Sequence, residues 1–339
     1  MDLQLKNESQ KQSQNISNRT TPWIEKYRPN TLDEVISHNT IIDTLKKFIS
    51  NKKLPHMLFY GPPGTGKTSV ITACAKELYG KDYNMMVIEI NASEERGIEI
   101  VRNRITSFAS MKSFCLESSM FKLIILDEAD AMTLDAQASL RRVIEKYTYN
   151  VRFCLICNYI EKINNAIKSR CVCIRFAPIK EIYIKEKLIS IIKQEKIVIN
   201  ESGINEIIKR SNGDMRKILN ILQSTHMAYP KKEIDDEIVN ECLGFPKKSD
   251  IKTIFKFLIK NNFKESYDLI TKYKETNGYS LSDIMNEIHD LLLKKLNNSK
   301  INKIEKIYEN LQNLEHNLSN STSDILHIGE FISIFNLYK

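Results

Sequence analysis

A chain of 339 residues is long enough for two or three domains with cores of their own, and 42% hydrophobic with 27% charged residues is ordinary globular composition. No run approaches the ~18 apolar residues of a membrane span, and residues 1–20, polar and rich in Asn, Gln and Ser, lack the apolar centre of a secretory leader and read as a disordered tail. A formal charge of +8 points towards an acidic partner, nucleic acid being the usual one.

From about residue 20 to 178, short apolar runs alternate with helical periods. "HMLFY" (56–60), "MMVIEI" (85–90), "KLIILD" (122–127), "VRFCLICN" (151–158) and "CVCIRF" (171–176) read as buried strands. Such runs separated by helices imply a parallel sheet with helices on both faces, a three-layer α/β domain over 21–178. Within it, "SVITACAKELYG" sets Val70, Ile71, Cys74 and Leu78 at helical spacing and stops at Gly80. "NASEERGIEIVRNRITSFASMK" reads as a helix burying Ile98, Val101, Ile105 and Phe108. Pro178 closes the domain. Three helical segments follow over 179–244, the last begun by Asp214 as N-cap after the helix-stopping Gly213. "LGFPKKSD" (243–250) reads as a linker, and four or five amphipathic helices fill 245–339.

The cysteines number seven and lie mostly in apolar runs, which fits core thiols in a reducing compartment. Cys154 and Cys157 form a C-x-x-C, but along a strand their side chains point to opposite faces, so no metal bridges them. The basic residues divide unequally into 12 Arg and 38 Lys, with no Arg after Arg216. Guanidinium is the group for bidentate phosphate contacts, so phosphate chemistry belongs to the first two-thirds of the chain.

That expectation has a motif to carry it. "GPPGTGKT" (Gly61, Pro62, Pro63, Gly64, Thr65, Gly66, Lys67, Thr68), followed by Ser69, satisfies G-x-x-x-x-G-K-[ST] between a strand and a helix. Its backbone N–H groups suit the phosphates of ATP, Lys67 spans them, and Thr68 ligates Mg²⁺. "LIILDEAD" ends a strand in carboxylates where open α/β sheets bind ligands: Asp127 for Mg²⁺ through water, Glu128 to deprotonate the attacking water. The letters "DEAD" raise a two-domain helicase as a rival, but no second α/β domain or S-A-T segment follows. Asn158, ending "FCLICN", either caps a strand end or orients the attacking water. Arg216, in the first turn after "GD", is either a solvated helix arginine or a phosphate ligand. Arg170 stands directly before an apolar strand, and the neighbouring sequence offers it no carboxylate.

"PWIEKYRP" (22–29), the phosphate loop, "NASEERG" (91–97), "LDEADAMT" (126–133), "ASLRRVIEKYT" (138–148), "SRC" (169–171) and "NGDMRK" (212–217) occur in order. Together they resemble a small subunit of eukaryotic replication factor C, the sliding-clamp loader, an AAA+ ATPase. The resemblance implies an AAA+ module followed by a helical lid and an all-α collar, five different subunits forming a ring. It brings Ile24, Arg28 and Ile36 to the adenine, makes Asn158 and Arg216 the two nucleotide sensors, and makes Arg170 an arginine finger acting across the ring interface, so that this side chain needs no partner within its own chain. It implies ATP and Mg²⁺ as cofactors, and the other subunits, the sliding clamp (PCNA) and primer–template DNA as partners, in the nucleus, in replication and repair. Arg96 and Arg102 would follow duplex phosphates without reading bases, or else belong to a solvated face compensated by Glu94, Glu95 and Glu99. The resemblance implies no functional residue in the collar. The alternatives are a scaffold subunit that only holds nucleotide, and an AAA+ initiator or branch-migration motor.

Overall fold

The computed structural model describes residues 21–94, 97, 99, 101–111, 121–296, 302–320 and 324–337. By their contacts these form two compact units, one holding the chain up to Lys196 with Ile208–Gln223, the other Ile197–Ile207 with Ser224 onwards. Arg96 and the expected tail 1–20 lie outside the described residues, as does the side chain of Arg102.

The first unit is built on five parallel strands, β1 (Met57–Tyr60), β2 (Val87–Asn91), β3 (Lys122–Asp127), β4 (Val151–Cys157) and β5 (Val172–Arg175), in the order β2-β3-β4-β1-β5. Alternate residues of the central strands feed two separate cores. Met57, Phe59, Leu123, Ile125, Cys154 and Ile156 pack on one face with helices α1 (Asn39–Ser50) and α2 (Lys67–Tyr79). Leu58, Ile124, Leu126, Phe153, Leu155 and Cys157 pack on the other with α3 (Leu134–Tyr147) and Ile105. The sheet is thus covered on both faces, and the two cysteines of the C-x-x-C do sit in opposite cores. Burial pushes the Cys157 thiol up to about 12 and raises that of Cys154 well above its usual value, so both are neutral core groups. Among the described residues no cluster of His, Cys, Asp or Glu could hold a metal by itself, and no helix is long and apolar enough to cross a membrane.

One strand differs from expectation. β5 lies at the sheet edge, with Val172 46% exposed, Cys173 exposed and only Phe176, just beyond it, fully buried. An apolar run does not disclose how far neighbouring elements cover its strand: at the opposite edge β2 buries Val87 and Ile90, whereas β5 leaves Val172 and Cys173 uncovered.

The strand order positions the chemistry. β3, β4 and β1 are neighbours, and Tyr60 pairs with Cys157, so the chain leaves β1 at Gly61 level with Asn158 leaving β4. α3 starts soon after β3, capped by Thr133, whose hydroxyl accepts from Ala136 N at 3.3 Å. Its buried Gln137 donates to the carbonyls of Met132 (3.3 Å) and Lys162 (3.1 Å) and accepts from Asn164 N (2.8 Å). Gln137→Ala leaves these groups unpaired in the interior, and thermal or denaturant unfolding is expected to show a loss of about 1–3 kcal/mol.

The first unit also holds α4 (Glu181–Glu195). α5 (Glu201–Ser211) and α6 (Met215–Ala228) follow it in the chain. The second unit contains α7 (Asp236–Leu243) and five further helices, α8 (Lys248–Lys260), α9 (Phe263–Asn277), α10 (Leu281–Leu296), α11 (Asn302–Asn320) and α12 (Asp324–Asn336), around Phe331, Ile332, Ile284 and Leu314. The segment "LGFPKKSD" joins α7 to α8, and the start of α8 is tied down. Lys248 Nζ binds Asp236 at 2.6 Å and the buried Glu206 at 3.2 Å, while Tyr279 donates to Asp250 at 2.9 Å.

Candidate nucleotide-binding site

A cavity of about 700 Å³ opens beyond the carboxyl ends of β1 and β3, wholly within the first unit. One wall is the second half of the phosphate loop, Gly64, Thr65 and Gly66. Gly64 (φ +70°) and Gly66 (φ +90°) occupy the left-handed region, where a side chain is strained. Space adds a second constraint at Gly64, because a Cβ there would overlap the Asp214 carboxylate. That carboxylate is the predicted cap: its Oδ1 accepts from Arg216 N at 2.9 Å. Gly64→Ala therefore dislodges the residue that caps the helix bearing Arg216, whereas Gly66→Ala meets open space. The first substitution is expected to lower unfolding stability by about 1 kcal/mol more than the second, roughly the worth of an N-cap, as read from melting of the two variants.

The loop ends in Lys67, 7% exposed. Its ammonium donates to the carbonyls of Gly61 and Pro62, both at 2.8 Å, and to Asn158 Oδ1 at 2.9 Å. Burial pulls its pKa down, partly offset by Asp127. Thr68 Oγ1 donates to Asp127 Oδ2 at 2.7 Å. Two pairs of residues far apart in sequence thus meet across the strand ends. Asp130, the last acid of "DEAD", accepts from the backbone N–H of Asn158 (3.3 Å) and Tyr159 (3.1 Å), holding the end of β4 in place.

Glu128 has left-handed φ (+52°), an exposed carboxylate and a backbone N–H donated to Asp127 Oδ1 at 2.8 Å. Of the sequence-predicted residues, Ile24, Arg28, Ile36, Gly64, Thr65, Gly66, Thr68, Ser69, Asp127 and Arg216 line the cavity. Lys67, Asn158, Gly61, Pro62, Pro63 and Glu128 are not among its walls, although the Lys67 ammonium joins Asn158 to the loop through the Gly61 carbonyl. Arg170 is away from it, on the turn before β5.

The apolar end of the cavity is formed by Ile24 and Ile36 with Ile179, Ile191, Met215 and Leu219. The segment 22–29 is anchored there: Trp23 N donates to Gln223 Oε1 at 3.0 Å, and the Tyr27 hydroxyl donates to Glu195. Burial and then Glu195 hold the Tyr27 phenol far above its usual range. Arg104 and Lys187 also line the cavity, and neither was singled out by sequence. Arg104 lies on a π-helical stretch, Val101–Ile105. The wider turn shifts side chains away from the faces that a 3.6-residue period assigns.

Two hard oxygens, the Thr68 hydroxyl and the Asp127 carboxylate, suit Mg²⁺, which takes one or two protein ligands and completes its shell with water and phosphate. The loop amides, Lys67, Arg28 and Arg216 suit a polyphosphate, and the apolar end suits a flat base.

The sequence matches the family model of the ATPase family associated with various cellular activities (AAA) over residues 57–179, and that of the replication factor C C-terminal domain over 246–333. It is 46% identical over 322 residues to replication factor C subunit 5 of Homo sapiens, covering 95% of this chain and 93% of that one. It is also 46% identical over 279 residues to replication factor C subunit 3 of Saccharomyces cerevisiae, covering 81% and 82%. Among solved structures it is similar to the Thermotoga maritima RuvB Holliday junction branch migration motor, with TM-score 0.52 at 18% identity over 77% of this chain and 91% of that one, a likeness of fold alone. With an AAA ATPase module whose strand order gathers its motifs into one cavity, and near-full-length identity to these subunits, the chain belongs to the replication factor C subunit family.

Proposed function

We propose that this chain is the ATP-binding and ATP-hydrolysing subunit of a five-membered ring that opens a sliding clamp (PCNA) and places it on primer–template DNA, in nuclear replication and repair. The observation that carries the reading is the pair of hydrogen bonds Lys67–Asn158 and Thr68–Asp127 beside the cavity of about 700 Å³ that Ile24, Ile36 and Arg216 line. The loop amides and Lys67 hold the triphosphate. Arg28, Ile24 and Ile36 flank the base, and Arg216 brings its helix to the phosphates. Thr68 and Asp127 would hold Mg²⁺, which when bound offsets charge on the phosphate oxygens. Glu128 takes the proton of the attacking water, and Asn158 orients that water while keeping Lys67 in place. Residues 179–244 act as the lid and 245–339 as the collar. Arg170 serves the neighbour's site and not its own, and Arg96 and Arg102 are the candidate contacts to duplex phosphates.

The test is copurification. The chain drawn from its own cells should bring four related ATPase subunits, and the ring should hydrolyse ATP faster with primer–template DNA and clamp. A homo-oligomer without those partners would sink the reading.

A further inference from the structure

Arg170 does find a carboxylate within its own chain, against the sequence expectation. It follows the one-turn helix Asn165–Lys168, and its Nη1 donates to the Ala166 carbonyl at 2.6 Å and to Ser169 Oγ at 3.3 Å. Its Nη2 donates to Glu145 Oε1 on α3, and that same oxygen accepts from Arg141 Nε at 3.2 Å. One carboxylate therefore stands between two guanidiniums on an open face, with Glu145 41% and Arg170 33% exposed at the side chain. Arg141 first, then Arg170, holds the Glu145 carboxyl below its usual range, so it is ionised at neutral pH.

Exposed ion pairs contribute little to folding, so stability is a poor reason for this arrangement. Its consequence for Arg170 is orientation. The backbone beneath the guanidinium is already fixed, because Asn164 N is held by the buried Gln137 and the Asn164 side chain caps the short helix at Ala166 N (2.9 Å). The direction of the long side chain is then set from two sides, by the Ala166 carbonyl and Ser169 hydroxyl at Nη1 and by the Glu145 carboxylate at Nη2, while donors of the planar fork remain for another ligand. Without that carboxylate, Arg141 and Arg170 would also repel each other.

We infer that Glu145 is a positioning residue for Arg170, holding the guanidinium ready to meet the polyphosphate bound to an adjacent subunit, with Arg141 as a second cation gathered on the same face. This rests on the reading of Arg170 as acting in trans. A donor fixed before docking spares the reorganisation that a loose arginine would undergo, so its loss falls on the chemical step and not on nucleotide binding.

The test uses the ring purified with its partner subunits, ATP and a primer–template duplex, comparing R170A, E145Q and the double variant in rings of checked composition. R170A defines the contribution of the one site that Arg170 serves. E145Q is expected to remove at least half of that contribution, to leave the KM for ATP within about twofold, and to add nothing in the double variant. Wild-type or faster turnover with E145Q, or additive losses in the double variant, would overturn the inference while leaving the trans role of Arg170 standing. Unchanged turnover with R170A would overturn both. If E145Q does not assemble, E145D, which keeps the charge but shortens the tether by one methylene, is judged by the same comparisons.

Discussion

Glu128→Gln is expected to cut hydrolysis at this subunit's site by at least 10²-fold while leaving ATP bound. The substitution is isosteric and removes only the ability to take a proton, a contribution of about 10²–10⁴ when a general base is positioned for it. Nothing in the cavity's grip on nucleotide depends on this carboxylate, which lies outside the walls and is exposed. Its backbone is committed all the same, with left-handed φ and an N–H closed on Asp127 Oδ1, so the side chain leaves the strand end at a fixed angle. A left-handed Glu is costly and persists where surrounding structure enforces it, a pattern concentrated at functional sites. The measurement is phosphate release from the assembled ring on primer–template DNA beside equilibrium ATP binding. Unchanged turnover would make this chain a nucleotide-holding scaffold. Lost binding would mean that Glu128 grips the ligand and does not act on water.

The parts of the site that were legible in sequence are those whose geometry is local. The loop 61–68 specifies its own conformation through glycines, and "LIILDEAD" carries its acids at the end of its own strand. The Asp214 cap was legible for the same reason, being set by Gly213 before it and a helical period after it. What joins these pieces is strand order, and spacing does not encode that. Lys67 meets Asn158, and Thr68 meets Asp127, because β1 inserts beside β4 rather than beside β2. The same lack hid the edge position of β5 and the pairing of Arg170 with Glu145, since α3 and the turn before β5 are brought together only by the folded sheet. Asp130 was overlooked for another reason. Its partners are backbone N–H groups, which leave no trace in side-chain identity.

Lys67→Met should separate folding from binding. In the protein without nucleotide, the ammonium is buried, its pKa is depressed, and it is satisfied by two carbonyls and the Asn158 amide oxygen. Bringing a charge into that site costs solvation, and a thioether of similar length avoids the cost while leaving three acceptors without this donor. These effects oppose each other, so melting of the nucleotide-free chain should change little. The ligand changes the balance. A triphosphate offers oxygens that only a buried, charged donor can match, and such hydrogen bonds are worth about 1.5–3 kcal/mol, roughly tenfold to 150-fold in affinity. ATP should therefore raise the melting temperature of the parent chain and raise that of the Met variant far less at the same concentration, since stabilisation follows the ratio of ligand concentration to Kd. Turnover should fall further than affinity, because Asn158 loses the partner that fixes its side chain as well. Equal ATP stabilisation of the two proteins would move the phosphate grip away from Lys67 and onto the loop amides and arginines. A collapse of the nucleotide-free Met variant would instead make the lysine primarily a structural clasp between the loop and β4.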